Sequence, residues 1–534
     1  MPLLPLAADD IRMVDVFSMD EASAVAVVRY LYVTGTWVLE TFSYGGLFYY
    51  VPVMILYVLG VFGQVDDLMI AVVLRGVGTV AGMGCLFLTF RIGRLVGGEA
   101  VGAIAACLLV LTPIFLRWSV EIHPDIPQLF WLLCALYMCC LLVDNRTFSR
   151  VAMVGIFAGL AFGTKYSGVF LLPVIGLVIL LSRGGGIGQL RNRQVWRDWF
   201  LAFGTFSGVC VVTNFSAILH PQTFFHDVEF ERAHLSFGHM FQADQAGLTW
   251  VVDLVNLMGW AHGIVGIGAV GWLIWSKRLS LAQVMLLAWC VVLVGYLVGF
   301  ANLRAARHLL PVLPVGLIFV GVGYCEVGRL LKKRGRMLLY TGGVIFGALV
   351  LWHRAGDTEG LFVGKWLREE GRAEIAVGGW LGESYGEETS ILYHAYAYVP
   401  EKFTHAFRAS SLHYVMVNHF EPDILVVRDA LAGRFANIDD ADRAQIGREA
   451  FLDRHYFYAY LQAGLIESYV LKKDFGSVAV YQRATAKDSR RVNLGWGDRK
   501  ERWAQGQALD AIGAFRYMAD VHQSRGEVAE ASRL

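Results

Sequence analysis

The chain has 534 residues, 56% of them hydrophobic and only 17% charged, with a mean hydropathy of +0.50. Soluble globular chains carry roughly 25% charged residues, so this composition excludes a string of soluble domains and implies a membrane protein with many spans. A formal net charge of +1 excludes nucleic-acid binding through a large basic surface. The eight cysteines all fall inside apolar runs and show neither a disulfide framework nor a zinc motif.

In chain order, residues 1–67 form a first outer segment rich in acids. Within it, residues 47–63 are expected to lie at the outer surface as an interfacial helix, with Phe48, Tyr49 and Tyr50 at headgroup level. No span or signal peptide precedes this segment, and Met1 to Ala8 read as the tail of a first helix. Runs of about 20 mostly apolar residues then predict spans at roughly 68–90, 99–117, 126–143, 151–164, 168–182, 199–219, 250–275, 280–300, 308–327 and 337–353. The two short runs 151–164 and 168–182 are separated only by a polar knot around Lys165.

Basic residues cluster at Arg91/Arg94, Arg146/Arg150, Arg183 to Arg197, Lys277/Arg278 and Arg329 to Arg336, which are alternate loops of that series. The positive-inside rule places all five in the cytoplasm. The outer face then receives residues 1–67, the loop 118–125, Lys165, a long loop 220–249, the loop 301–307 and everything after 354. The expected organisation is a membrane domain over 1–353, a small outer α/β domain over 354–484 and a tail over 485–534 that ends in an amphipathic helix near 503–523. In the α/β part, Ile391 to Val399, Tyr414–Val417, Ile424–Val427 and Ser477 to Arg483 read as strands, and Asp439 to Gly464 as helix.

Charged groups at a membrane margin are costly unless paired or functional, and the outer face collects many. The first segment holds Asp9, Asp10, Asp15, Asp20 and Glu21. The second loop holds Glu121, His123 and Asp125. Lys165 is followed by Tyr166, and Arg304, Arg307 and His308 sit where the eighth run meets the ninth. Carboxylates and cations on one face suit an anionic lipid-linked substrate, with cations on its phosphate and a carboxylate at the reacting centre. Each residue also has a plainer role. Asp20 and Asp125 favour helix N-termini, and Lys165, Arg307 and His308 can reach headgroups. The histidines of 220–249 lack metal-ligand spacing. The glycine run at 184–188 lacks the Lys-Ser/Thr of a phosphate loop.

The ordered motifs Ser18-Met19-Asp20-Glu21-Ala22, Leu74-Arg75-Gly76-Val77, Ile122-His123-Pro124-Asp125, Gly159 to Ser167 and Arg307-His308-Leu309-Leu310-Pro311 with Pro314 resemble the bacterial membrane glycosyltransferases of the GT-C fold. The branch is that of the protein O-mannosyltransferases and aminoarabinose transferases, and the resemblance covers about residues 15–330. It implies an α-helical polytopic membrane protein of about ten or more transmembrane helices with outer interfacial helices and a small C-terminal α/β domain.

The resemblance further implies a polyprenyl-phosphate sugar donor, transfer with inversion to a lipid, glycan or protein acceptor, and an active site on the outer side of a bacterial plasma membrane. By motif, Asp20 is the acid that deprotonates the acceptor, with Glu21 beside it, and Asp125 is the second-loop acid. Lys165 with Arg304, Arg307 or His308 holds the donor phosphate, and Asp15, His123, Glu121 and Tyr166 support the site. Asp20 is expected to face Asp125. The sequence calls for no cofactor, and a divalent metal is compatible with the acids but unsupported by ligand spacing. A transporter or flippase of a lipid-linked anion is the alternative, although the chain shows no convincing internal repeat.

Overall fold

A computed structural model describes residues 19–182, 187–237, 246–334, 369–412, 414–443, 448–466 and 468–484. The expected span 337–353, the helix near 503–523 and Asp15 lie outside the described residues. The described chain falls into two compact units, the larger within Ser23–Ser236 and Gln245–Lys365 and the smaller within Trp366–Leu534, with residues 19–22 and Phe237 grouped with the smaller.

The larger unit is helical. Among the described residues, three helices are long and apolar enough to cross a membrane: Asp67–Gly97, Asp125–Asp144 and Leu281–Phe300. The count becomes five if two bent pairs each form one span. The last two of the three helices match the apolar runs almost residue for residue. Asp67–Gly97 continues past the end of its run through Arg91 and Arg94, and Asp66 caps its start, accepting from the Met69 amide at 2.7 Å. Capping satisfies an amide that has no partner in the first turn.

Other expectations change. The run 99–117 is two helices, Glu99–Val110 and Pro113–Val120, bent by 66°. Pro113, in the first turn of the second helix, lacks the N–H that would continue the first. The run 250–275 is also two helices, Thr249–Met258 and Trp260–Trp275, meeting at 109°. Gly259 between them sits at φ +83°, where a residue with a Cβ is strained. The run 199–219 becomes Arg193–Thr213, capped by Asn192, plus the short helix Phe215–Leu219. The expected loop 220–249 contains the helix Pro221–Phe237.

The stretch expected to be interfacial is the helix Leu47–Leu59, with Phe48, Tyr49 and Tyr50 buried within the protein. The Tyr50 hydroxyl lies 3.0 Å from Ser216 Oγ, which draws that face inward. Met54, Ile55, Tyr57, Val58 and Leu59 form the exposed side.

Helix Phe148–Thr164 packs along Arg193–Thr213 through Gly155, Gly159 and Gly163, spaced four apart. A Cβ at Gly159 would lie 2.9 Å from Phe206 O and 2.7 Å from Val209 Cβ. At Gly155 and Gly163 it would collide with Ala202 O and Thr213 Oγ1. Small residues at this interval let two backbones approach closely in a membrane.

The smaller unit is a five-stranded mixed sheet in the order β2-β1-β3-β5-β4. Its strands are β1 (Ile391–His394), β2 (Ala406–Ala409), β3 (Ile424–Arg428), β4 (Tyr469–Asp474) and β5 (Val478–Arg483). β1 runs parallel to β2 and β3, and β5 runs antiparallel to β3 and β4. Helix Glu369–Ser384 covers one face through Val377 and Leu381. Helices Tyr414–Phe420 and Arg448–Gln462 cover the other through Val417, Phe451, Tyr458 and Leu461. Tyr414–Val417, expected as strand, is thus helical. It connects two strands that both run parallel to β1, and such a connection needs a crossover, usually a helix.

Candidate active site

The glycine-lined contact fixes where helix Phe148–Thr164 ends, and the chain leaves it at Lys165 in extended conformation. Gln128 holds that exit, because its Nε2 donates to Lys165 O at 2.9 Å and to Ser167 Oγ at 2.9 Å. Gln128 lies one turn into helix Asp125–Asp144, so the polar knot is tied to the start of that helix. The Lys165 ammonium thereby reaches Asp125, with Nζ 2.5 Å from Oδ1.

Asp125 is only 3% exposed. Its second oxygen, Oδ2, lies 2.9 Å from Nδ1 of His123. His123 is buried too, and its Nε2 is 3.1 Å from the Tyr44 hydroxyl. Burial holds the His123 imidazole below its ordinary pKa. Asp125 pulls the other way, while Arg307 and Lys165 push in the same direction as burial.

Tyr44 was not singled out in the sequence, because it sits in the irregular segment before Leu47–Leu59. Residues far away in the chain pin that segment. Asp227 Oδ2 accepts from Phe42 N at 2.8 Å, Asn214 Oδ1 from Gly46 N at 3.2 Å, and Thr164 O from Gly45 N at 3.2 Å. Tyr166 donates its hydroxyl to Tyr44 O at 3.1 Å.

The second cationic group comes from the segment after Leu281–Phe300. Arg307 and His308 lie in the short 3-10 helix Ala306–Leu309. Arg307 is close enough to act electrostatically on Asp125, His123 and His308. Its guanidinium carbon lies 5.1 Å from the centroid of the Trp118 ring. The His308 ring packs edge-on to Trp250 at 6.2 Å. Its Nε2 is shielded from solvent and has no hydrogen-bond partner among the described residues.

The structure therefore brings together Asp125, His123, Lys165, Arg307 and His308 from three separate stretches of sequence. Other expected site residues are placed differently. Arg304 forks onto Asp253, with both bonds at 2.7 Å. Glu121 is buried and accepts from Arg117 Nε at 3.0 Å. Glu21 is buried in helix Met19–Thr34. Asp20 belongs to the first turn of that helix, but its side chain lies outside the described residues. Among the described residues, no group of three or more His, Cys, Asp or Glu side chains is disposed to hold a metal ion.

Comparison with known proteins bears on this architecture. Residues 50–212 match the family model described as dolichyl-phosphate-mannose-protein mannosyltransferase. That stretch contains His123, Asp125 and Lys165 and stops short of Arg307. No curated protein matches the chain by sequence. Among solved structures, ArnT from Cupriavidus metallidurans bound to undecaprenyl phosphate aligns with a TM-score of 0.53 at 13% identity, over 89% of this chain and 96% of that one. The apo form of the same protein aligns at 0.52 and 14%, over 86% and 92%. The fold is that of the GT-C glycosyltransferases.

The GT-C likeness extends to the Archaeoglobus fulgidus oligosaccharyltransferase in its apo form, with a TM-score of 0.50 at 12% identity, over 81% of this chain and 68% of that one. In keeping with that fold, three of the described helices are long and apolar enough to cross a membrane. The small α/β region belongs to the same chain.

Proposed function

We propose that this protein is an inverting glycosyltransferase that moves a sugar from a polyprenyl-phosphate donor to a lipid, glycan or protein acceptor at the outer face of a bacterial plasma membrane. The observation that supports this most is the buried Asp125 carboxylate set between Lys165 and His123, with Arg307 and His308 beside them, in a chain of GT-C fold. The match to a structure described as bound to undecaprenyl phosphate supports the donor class.

In this reading the acceptor oxygen attacks the anomeric carbon, and the bond from that carbon to the phosphate oxygen breaks. Polyprenyl phosphate departs with the bonding electrons. Lys165 and Arg307 stabilise the negative charge that collects on it, so no general acid is needed. The acceptor proton passes to a carboxylate. Asp20 is the proposed base, with Glu21 beside it and Asp125 as the second acid. His308 and Arg304 are further cations for the phosphate, and Arg304 must first leave Asp253. His123, Glu121 and Tyr166 keep the surrounding segments in place, a part also proposed for Asp15.

Purified protein in nanodiscs should retain a polyprenyl phosphate detectable by native mass spectrometry, and lose it when Lys165 and Arg307 are both neutralised. Release of a sugar from synthetic polyprenyl-phosphate glycoside, with inverted configuration at the anomeric carbon, is the expected reaction. Movement of the intact lipid across the bilayer without cleavage would favour a flippase instead.

A further inference from the structure

Trp118 makes contacts that the chemistry above does not use. Its ring receives two guanidinium groups, Arg307 at 5.1 Å and Arg117 at 5.5 Å from the centroid. The His123 ring meets it edge-on at 4.8 Å. The helix that carries it, Pro113–Val120, turns 66° away from Glu99–Val110, and this turn takes Trp118 out of the line of the preceding helix. Ser119 beside it is packed where Gly82 leaves room for it, since a Cβ at Gly82 would stand 2.7 Å from Ser119 Oγ. The short helix is thereby fixed against Asp67–Gly97.

The two arginines on the ring differ. Arg117 donates to Glu121, a buried carboxylate, at 3.0 Å, so its charge is locally balanced. Arg307 is within electrostatic range of Asp125, His123 and His308, the group that Lys165 also joins through Asp125. It belongs to a segment 189 positions further along the chain than Trp118. Of these groups, Asp125 attracts the guanidinium and Lys165 repels it by like charge, while burial keeps His123 neutral. The negative face of an indole is a neutral surface that opposes this repulsion and fixes the plane of the guanidinium.

We infer that Trp118 is a positioning residue for the phosphate site, holding Arg307 by a cation–π contact at a set distance from the His123–Asp125–Lys165 group. The inference rests on the reading of Arg307 as a phosphate ligand. Trp118 itself touches neither sugar nor phosphate. It keeps the cation for the leaving group and the buried carboxylate in one register, because the same ring packs against Arg307 and against the histidine beside Asp125.

A double-mutant cycle tests this with undecaprenyl phosphate as the probe, its affinity for the full-length protein in nanodiscs being measured by native mass spectrometry. Arg307→Gln should weaken binding. Trp118→Leu should weaken it about 2- to 30-fold, the span of a cation–π contact, and Trp118→Phe should give an intermediate loss, because a smaller aromatic face keeps part of the contact. In the Arg307→Gln background, Trp118→Leu should cause no further loss, since the ring has no guanidinium left to hold. A loss of the same size in both backgrounds would overturn the positioning role and leave the phosphate site standing. An unchanged affinity in Arg307→Gln alone would remove Arg307 from the site, and this inference with it. Trp118→Phe keeps the cycle open should the leucine variant fail to fold.

Discussion

The Lys165 ammonium stands 2.5 Å from the Asp125 carboxylate, and the lysine is 19% exposed while the acid is 3% exposed. A cation proposed to receive a phosphate is therefore already engaged by a buried carboxylate of the same site. An incoming phosphate competes with Asp125 for Nζ. Asp125→Asn should raise affinity for undecaprenyl phosphate roughly tenfold, because the competing charge is gone. It should also lower transfer by about 10²-fold, because Lys165 and His123 lose the group that orients them. Equilibrium binding and turnover on the same preparation provide the check, and a fall in affinity would show that Asp125 assists phosphate binding instead.

Lys165→Ala should act in the opposite direction on binding. A charge-assisted contact is lost, which corresponds to roughly 10- to 100-fold in donor affinity. Removing one partner of a buried ion pair also destabilises the fold, so melting temperature must be recorded beside affinity. Unchanged affinity in a folded Lys165→Ala variant would exclude the lysine from the phosphate site.

Part of this arrangement was legible in the sequence. Asp125–Asp144 and Leu281–Phe300 follow directly from apolar runs, and Lys165 stood out as the polar break between two others. Breaks inside apolar runs were not legible. Gly259 is one of many glycines in such runs, and only its φ of +83° marks it as a corner. Tyr44 and Trp118 were missed because the partner that gives each its place, His123 for Tyr44 and Arg307 for Trp118, is remote. Tyr44 meets His123 79 positions away, and an aromatic residue before an apolar helix reads equally well as a headgroup anchor. In the α/β unit, Tyr469–Asp474 was missed because it is an edge strand, exposed from Val470 onward and charged at its end. Natural edges are often built so, to discourage pairing with another chain, and the result erases the strand pattern.

The glycine seam gives a stability prediction. Gly155→Ala places a Cβ against the Ala202 carbonyl, part of a helix backbone that cannot yield locally. Overpacking of this kind costs about 1–3 kcal/mol, and it should also displace Lys165 at the end of the same helix. Gly204→Ala, on the partner helix with open space around it, should be neutral or slightly stabilising. Thermal unfolding of both variants in detergent compares the two directly. Equal melting temperatures would show that the seam is looser than its geometry implies.

His394 predicts a pH dependence in the α/β unit. It is fully buried at the end of β1, with Nδ1 accepting from Arg428 N at 2.8 Å and Nε2 2.7 Å from the Tyr458 hydroxyl. Burial lowers its pKa to about 3. The folded state therefore binds a proton less readily than the unfolded chain, whose histidine titrates near 6.5. The stability linked to this group is fully present above about pH 6.5 and declines as the pH falls toward 3. Hydrogen exchange of β1 and β3 in the full-length protein, corrected for intrinsic rates, should show protection falling between pH 6.5 and 4. His394→Asn should flatten that dependence and cost about 1–3 kcal/mol at neutral pH, because the Arg428 amide loses its acceptor.

The last prediction concerns the proposed base. Asp20 lies in the first turn of helix Met19–Thr34, one residue before the buried Glu21. Adjacent positions of a helix are rotated by about 100°, so positions 20 and 21 are not interchangeable as sites for a proton acceptor. Asparagine keeps the size of Asp20 and removes its basicity. Asp20→Asn should then lower transfer by about 10²–10⁴-fold, the usual contribution of general base catalysis, while undecaprenyl phosphate still binds through Lys165 and Arg307. Glu21→Gln should mainly reduce stability, because a buried carboxylate is replaced within its packed surroundings. Single-turnover transfer from a synthetic donor, measured beside donor affinity and melting temperature, separates the two residues. Near-normal transfer in Asp20→Asn, with a 10²-fold or larger loss in a folded Glu21→Gln variant, would reassign the base to Glu21.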